Sequence, residues 1–331
     1  KYFYYIKGNQ EIDYLFNLTH INMKKILFVI ILLILLVSRG LCDNNIVFNY
    51  DYSVFKGENG KSILEIYYSV SQQSLTYIQN ENNFEAAALV QITISELPGN
   101  NVLYTNAYKS PSIVTDTSKN NINQKLIGQV NYQLDNGKYK LSILGSDFYD
   151  STKTDLFEQE ITLDYTGTGK VMISDIELSS SINKSDNTNS PFYKNTLEII
   201  PNPSGLYGMN LNELHYYYEI YGLTENNISE NYTVTYPAND LNNVHLISSS
   251  KNFKRKNDSK ADFGKFIVDS LDRGSYFFKV TVIDTLKKVN VSTEKKFYIF
   301  NDSRIPVNTS DQNDYLKSEY SNKSEAEIEH D

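Results

Sequence analysis

Between Ile46 and Tyr165 apolar and polar residues alternate in short runs broken by polar turns. SILEIYYSV (62–70), FEAAALVQITISE (84–96), VLYTNAY (102–108), LIGQVNYQL (126–134), KYKLSIL (138–144) and EQEITLDY (158–165) read as strands. A period of two places every second side chain on one face. In 138–144, Tyr139, Leu141 and Ile143 take one face while Lys140 and Ser142 take the other. That division marks a half-buried antiparallel strand. The turn before it, Leu134-Asp135-Asn136-Gly137, supplies an Asp for a local hydrogen bond and a Gly for positive φ.

The pattern then recurs. LDRGSYFFKVTVID (271–284) repeats LDNGKYKLSILGSD (134–147), with Leu271, Asp272, Gly274, Tyr276 and Asp284 matching Leu134, Asp135, Gly137, Tyr139 and Asp147. A polar loop and a closing strand follow each copy, EQEITL in one and EKKFYIF in the other. A tyrosine just past a Leu-x-x-Gly turn resembles the packed corner of immunoglobulin-like and fibronectin-like sandwiches. The expected fold is therefore all-β: two tandem immunoglobulin-like/fibronectin-like antiparallel β-sandwich domains, residues 43–167 and 168–301, after an N-terminal signal peptide helix. The boundary is expected near Gly167–Lys170. Beyond it, Pro201-Asn202-Pro203-Ser204-Gly205 marks an extended turn, and LHYYYEIYGL (214–223) reads as a strong strand.

Composition narrows the partners. A chain of 331 residues suits about two domains, and 40% hydrophobic residues suffice for packed cores. The 27 Tyr and 16 Phe, with no Trp, favour half-buried strands. A net charge of −9 argues against a nucleic-acid partner, which needs a basic face.

The N-terminal region predicts export. Met23, Lys24 and Lys25 precede an apolar run from Ile26 to Val37, shorter than the roughly 18–20 residues that span a bilayer. Residues 23–42 therefore read as a cleaved signal peptide, with Gly40 and Cys42 at the −3 and −1 positions and the cut before Asp43. That cut removes the only cysteine and leaves no disulfide chemistry. A lipid on Cys42 is the competing reading, although the bulky Leu41 is a poor lead-in. Residues 1–22 begin with Lys and read as an over-extended start. The expected location is periplasmic, outer-envelope or extracellular, with membrane contact only through the signal segment or that lipid. Residues 302–331 read as an acidic linker leading to a truncated helix, because Ser324 and Glu327 form a capping box near the end; a frayed acidic tail is the other reading.

No constellation names a chemistry, so no catalytic, cofactor or metal residue is expected. His20, His215, His245 and His330 lack partners at ligand spacing, and His215 reads as a partly buried strand residue. Asp147, Asp150 and Asp155 lack the spacing of a calcium loop. KNFKRKNDSK (251–260) reads as a solvated loop. Tyr67-Tyr68 and Tyr216-Tyr217-Tyr218 are candidates for stacking on sugars, but neighbouring strand residues point to opposite faces. Asn-x-Ser/Thr sites such as Asn227 and Asn231 matter only in a eukaryotic secretory route, for which nothing in this reading of the sequence argues.

Three segments carry a family resemblance: GENGKSILEIYYSVSQQSLTY (57–77), SDIELSSSI (174–182), and FYKNTLEIIPNPSGLYG leading into LHYYYEIYGL. Together they resemble the N-terminal half of bacterial GWxTD-domain proteins. The resemblance implies an exported protein with β-rich domains ahead of a C-terminal domain carrying Gly-Trp-x-Thr-Asp. With no Trp, this chain lacks that motif, and the resemblance implies no activity. The expected function is a non-catalytic exported module that presents the missing C-terminal domain or meets a protein partner. The alternatives are a carbohydrate-binding module and the accessory region of an enzyme whose catalytic domain is missing.

Overall fold

The computed structural model describes residues 45–165, 170–223, 227–235, 245–254, 257–284, 289–301 and 320. The expected start (1–22), the signal segment with Cys42, and the capping box at Ser324 lie outside these residues, as do His20 and His330.

The described residues are all-β apart from single helical turns at Glu58–Gly60, Gln72–Ser74 and Lys119–Ile122. The first eight strands are β1 (Phe48–Lys56), β2 (Ser62–Ser71), β3 (Ile78–Asn80), β4 (Asn83–Leu97), β5 (Asn101–Val114), β6 (Lys125–Leu134), β7 (Gly137–Asp147) and β8 (Thr154–Leu163). One sheet runs β1-β2-β6. The other runs β4-β7-β8, with β5 on the far edge of β4 and β3 at its start. The sheets enclose one core that includes Leu64, Ile66, Val90, Ile92, Leu141 and Ile143.

The remaining strands are β9 (Met172–Ile173), β10 (Glu177–Lys184), β11 (Tyr193–Lys194), β12 (Leu197–Pro201), β13 (Leu206–Gly208), β14 (Glu213–Tyr221), β15 (Asn227–Thr235), β16 (His245–Lys254), β17 (Ser259–Ile267), β18 (Gly274–Asp284) and β19 (Val289–Phe300). They form the sheets β11-β12-β10-β14-β17 and β13-β19-β18-β15-β16, closed over a second core. Among the described residues every pairing is antiparallel except β13 with β19.

The repeated sequence builds repeated structure. In β7 the inward residues are Tyr139, Leu141, Ile143, Gly145 and Asp147; in β18 they are Tyr276, Phe278, Val280, Val282 and Asp284. The Tyr139 hydroxyl donates to the Asp135 carbonyl at 2.7 Å, and the Tyr276 hydroxyl donates to the Asp272 carbonyl at 2.5 Å. Both corners therefore close on the backbone four residues upstream. The buried Asp147 carboxylate accepts the amides of Thr76, Tyr149 and Asp150, which fixes the loop between β7 and β8.

A second repeated device escaped the sequence reading. Tyr68 on β2 lies directly opposite Gly128 on β6, and Tyr216 on β14 lies opposite Gly264 on β17. A Cβ on Gly128 would come within 2.1 Å of the Tyr68 ring, and one on Gly264 within 2.4 Å of the Tyr216 hydroxyl. Each tyrosine thus lies across a residue that must have no side chain.

Three expectations need correction. Gly137 does not take the positive φ expected of it; it opens β7 in extended pairing opposite Leu163. FNYDYSVFK, absent from the predicted set, is β1, and its alternation turns Phe48 and Val54 into the first core. The basic stretch 251–260 is not a free loop: Lys251 belongs to β16 and Lys260 to β17, and both are ion-paired.

The two β-sandwiches pack face to face through β1-β2-β6 and the sheet containing β14. Phe55 and Ile63 meet Leu197, Ile199 and Tyr217 there. The layers therefore stack with these two sheets inside, and strand β2 is buried on both faces.

Removing the Tyr276 hydroxyl by Tyr276→Phe is expected to cost about 1 kcal/mol, the usual net worth of such a bond. Gly264→Ala is expected to cost about 1–3 kcal/mol, because the methyl group displaces the Tyr216 ring. Urea unfolding of the two variants measures both; unchanged midpoints would contradict the role given to the corner and to the glycine.

Candidate functional site

Copy two departs from copy one at four inward positions. Aligning Asp284 on β18 with Asp147 on β7, the pairings place Glu230 where the first sandwich has Val90, and Tyr232 where it has Ile92. Aligning Tyr216 and Gly264 with Tyr68 and Gly128 places Tyr218 at Val70 and Asp262 at Leu126. Four aliphatic side chains are thus replaced by two carboxyls and two phenols.

These groups bond to one another. The Tyr232 hydroxyl lies 2.7 Å from Glu230 Oε2 and 3.3 Å from Asp262 Oδ2, and the Tyr218 hydroxyl donates to Tyr232 at 3.1 Å. Lys260 Nζ bridges the carboxyls, 2.9 Å from Glu230 Oε1 and 2.6 Å from Asp262 Oδ2. Lys251 approaches Asp262 at 3.0 Å from the solvent side. The Lys260 ammonium also lies 3.7 Å from the centre of the Phe253 ring.

Burial, then the adjoining Asp262, pushes the Glu230 carboxyl up to about 7. Burial also opposes the Asp262 charge, but the hydrogen bond from Glu230 and the Lys260 ammonium outweigh it and hold that carboxyl down at about 2. Two close carboxyls cannot both ionise cheaply, so the proton resides on Glu230 and the charge on Asp262. Burial and the neighbouring carboxyl charges push the Tyr218 phenol far up, so it remains a donor. The cluster can store one proton. Glu230 is fully buried, and the cluster meets a neighbouring hollow of about 430 Å³ through Lys260, beside Phe253, Lys254, Asn257 and Ser259.

A second polar cluster lies in the seam. Lys194 Nζ reaches Glu65 of the first sandwich at 2.5 Å and Glu177 of the second at 2.9 Å. The Tyr67 hydroxyl donates to Glu65 at 2.8 Å, and the rings of Phe55 and Tyr217 face the ammonium. Burial opposes the Lys194 charge, but the two carboxyls outweigh it and raise its pKa. One ammonium serves two acids; Glu177, the more deeply buried, is pushed up by desolvation to about 7. Lys194 precedes the turn Asn195-Thr196, where both residues have positive φ, 50° and 66°. A threonine in that region is strained, and the Asn195 amide secures the turn by donating to the Tyr217 hydroxyl. At one edge of the seam, Asp51 and Lys295 pair at 2.5 Å in a cleft of about 430 Å³, across which the Tyr320 hydroxyl donates to the Ser204 carbonyl.

The residues singled out from sequence lie elsewhere or serve other ends. Tyr67, Tyr68, Tyr216, Tyr217 and Tyr218 are all buried, so they present no stacking platform to a sugar. His215 is half-buried on β14 with Nε2 3.2 Å from Glu213, and desolvation lowers its pKa. His245 begins β16. Asp147 holds loop amides, Asp150 holds Thr152, and Asp155 lines the edge cleft. Among the described residues, no three His, Cys, Asp or Glu side chains converge on a position for a metal ion. Sequence reasoning missed Glu230, although its inward register between Ile228 and Tyr232 was a readable signal.

No protein-family model matches the sequence, and no curated protein matches it. Among solved structures, red sea bream transglutaminase aligns over 77% of this chain at 8% identity and a TM-score of 0.22. This chain spans 32% of that protein's length, and a score of that size does not establish a shared fold.

The shared proton gives a pH signature. Folded Glu230 keeps its proton up to about 7, while an unfolded glutamate releases it near 4.5. The folded state therefore holds more protons between these values, and stability falls as pH rises through that window. Glu177 acts in the same direction. Thermal unfolding of the Glu230→Gln variant between pH 4 and pH 8 is expected to show a shallower fall than the parent chain. Parallel profiles would contradict the assignment.

Proposed function

We propose that this protein is a non-catalytic exported interaction module: two tandem fibronectin-like sandwiches held as one body that offers a strand edge to an extended partner polypeptide. The division of each sandwich into a sheet built on β1-β2-β6 or β10-β14-β17 and a sheet built on β5-β4-β7-β8 or β16-β15-β18-β19, with a tyrosine corner in each, supports the fibronectin-like reading. The leader-like segment 23–42 supports export.

The observation that carries the interaction reading is β5. It pairs with β4 along one edge, and among the described residues its other edge pairs with no strand. Val102, Leu103, Tyr104 and Ile113 are exposed on it, the first and last by 56% and 64%. Such an edge can take an added strand through main-chain hydrogen bonds. Pro111 blocks only its end, and Lys109 is its only charged residue, so it lacks most of the guards that soluble proteins place on free edges. The titratable clusters, by contrast, close on their own partners.

A photo-crosslinking residue at Leu103, in the cells that produce the protein, is expected to trap a discrete polypeptide. Thr105→Pro, which removes an edge amide, is expected to abolish that product while the unfolding midpoint changes little. Crosslinking no stronger than from exposed Leu156 on β8 would overturn the assignment of β5 as the contact edge.

A further inference from the structure

We infer that the second sandwich carries N-linked glycans and the first carries none, a reading that rests on the export proposed above and requires that export to follow a eukaryotic secretory route. Between Ile46 and Tyr165 there are thirteen asparagines, and none is followed by x-Ser/Thr. From Lys170 to Asn301 there are seventeen, and the motif occurs at Asn183, Asn227, Asn231, Asn257, Asn290 and Asn301. Asparagine supply does not account for that division.

The strand period explains how a folded sheet tolerates these sites. Residues i and i+2 share one face while i+1 takes the other. In Asn231-Tyr232-Thr233, Tyr232 is buried in the core, leaving Asn231 and Thr233 on the outer face of the second sandwich. In Asn290-Val291-Ser292, Val291 packs against that core while Asn290 and Ser292 are exposed. Asn183 is exposed at the end of β10, and Asn257 is exposed between β16 and β17. Asn301 differs: its amide donates to the carbonyls of Asp269 and Leu271 at 3.2 and 3.1 Å, so a sugar there would break both bonds. The expected acceptors are Asn183, Asn231, Asn257 and Asn290. A glycan on Asn231 covers the face of β15, whereas the free edge of β5 stays bare.

The donor class is an oligosaccharide linked through pyrophosphate to a polyprenyl lipid, supplied with its transferase by the export route. The asparagine amide nitrogen forms a bond to the sugar anomeric carbon and loses one proton to a base. The anomeric carbon–oxygen bond breaks, and the lipid pyrophosphate leaves with the electron pair. No oxidant or reductant is required.

The test is secretion of the full chain with its own leader from a eukaryotic host, followed by gel mobility before and after amidase removal of N-glycans and by peptide mapping. Asn183→Gln, Asn231→Gln, Asn257→Gln and Asn290→Gln are each expected to remove one mobility step. Gln91→Asn creates a motif ending at Thr93 on the first sandwich and is expected to add one step, showing that the route reaches that domain. A secreted chain without sugar, together with a modified Gln91→Asn variant, would overturn the inference and leave export standing. A chain retained in the cytosol with its leader intact would overturn both.

Discussion

The structure depends on one packing constraint: each sandwich buries the outer face of one of its own sheets against the other. A sheet in that position needs apolar or paired groups on both faces. Phe55, Ile63, Leu197, Ile199 and Tyr217 supply the apolar part. Lys194 supplies the paired part, placed between an acid from each sandwich. A buried ion pair is weak evidence for net stability, because desolvation offsets much of the attraction. Its stronger effect here is on register: shifting one sheet past the other would leave Glu65 buried without its countercharge, because Lys194 and Glu177 move together as parts of one sheet. The strained Asn195-Thr196 turn fits this role, since it fixes where the ammonium sits. Lys295 with Asp51, and Val54 with Asp175 through paired backbone and side-chain bonds, repeat the locking at the edge.

The two copies share a frame and differ in what fills it. The tyrosine corner, the terminal buried aspartate and the tyrosine lying over glycine recur at matching positions. Each solves a problem of geometry, so each survives duplication unchanged. The positions between β4 and β6, or β15 and β17, are not constrained in the same way. The first sandwich fills them with Val70, Val90, Ile92 and Leu126, and the second with Tyr218, Glu230, Tyr232 and Asp262. The polar set stays inside because every acid has a lysine or phenol beside it.

The frame was largely legible in the sequence, and the sites were not. Alternation in 138–144 and the Leu-x-x-Gly-x-Tyr copies led to β7, β18 and both corners, because these depend on contacts between near neighbours. The seam depends on which sheet faces meet, and alternation within one strand carries little of that information. The tyrosine runs held part of the answer: neighbours pointing to opposite faces, both bulky and both buried, require a sheet covered on both sides. Read as exposed platforms, they suggested sugars; buried, they are seam and core. Glu230 was readable as an acid at an inward position, whereas its partner Lys260 comes from a segment whose charge suggested a solvated loop.

The claim that the sandwiches form one body is tested most directly by measuring a distance between them. Spin labels at Gln91 on β4 and Glu294 on β19, both exposed on the outermost sheets, report that separation by pulsed dipolar spectroscopy. A seam closed by Lys194 predicts a single narrow distance distribution that broadens when Lys194 is replaced by Met. A distribution already broad in the unaltered chain would mean that the two sandwiches hinge freely.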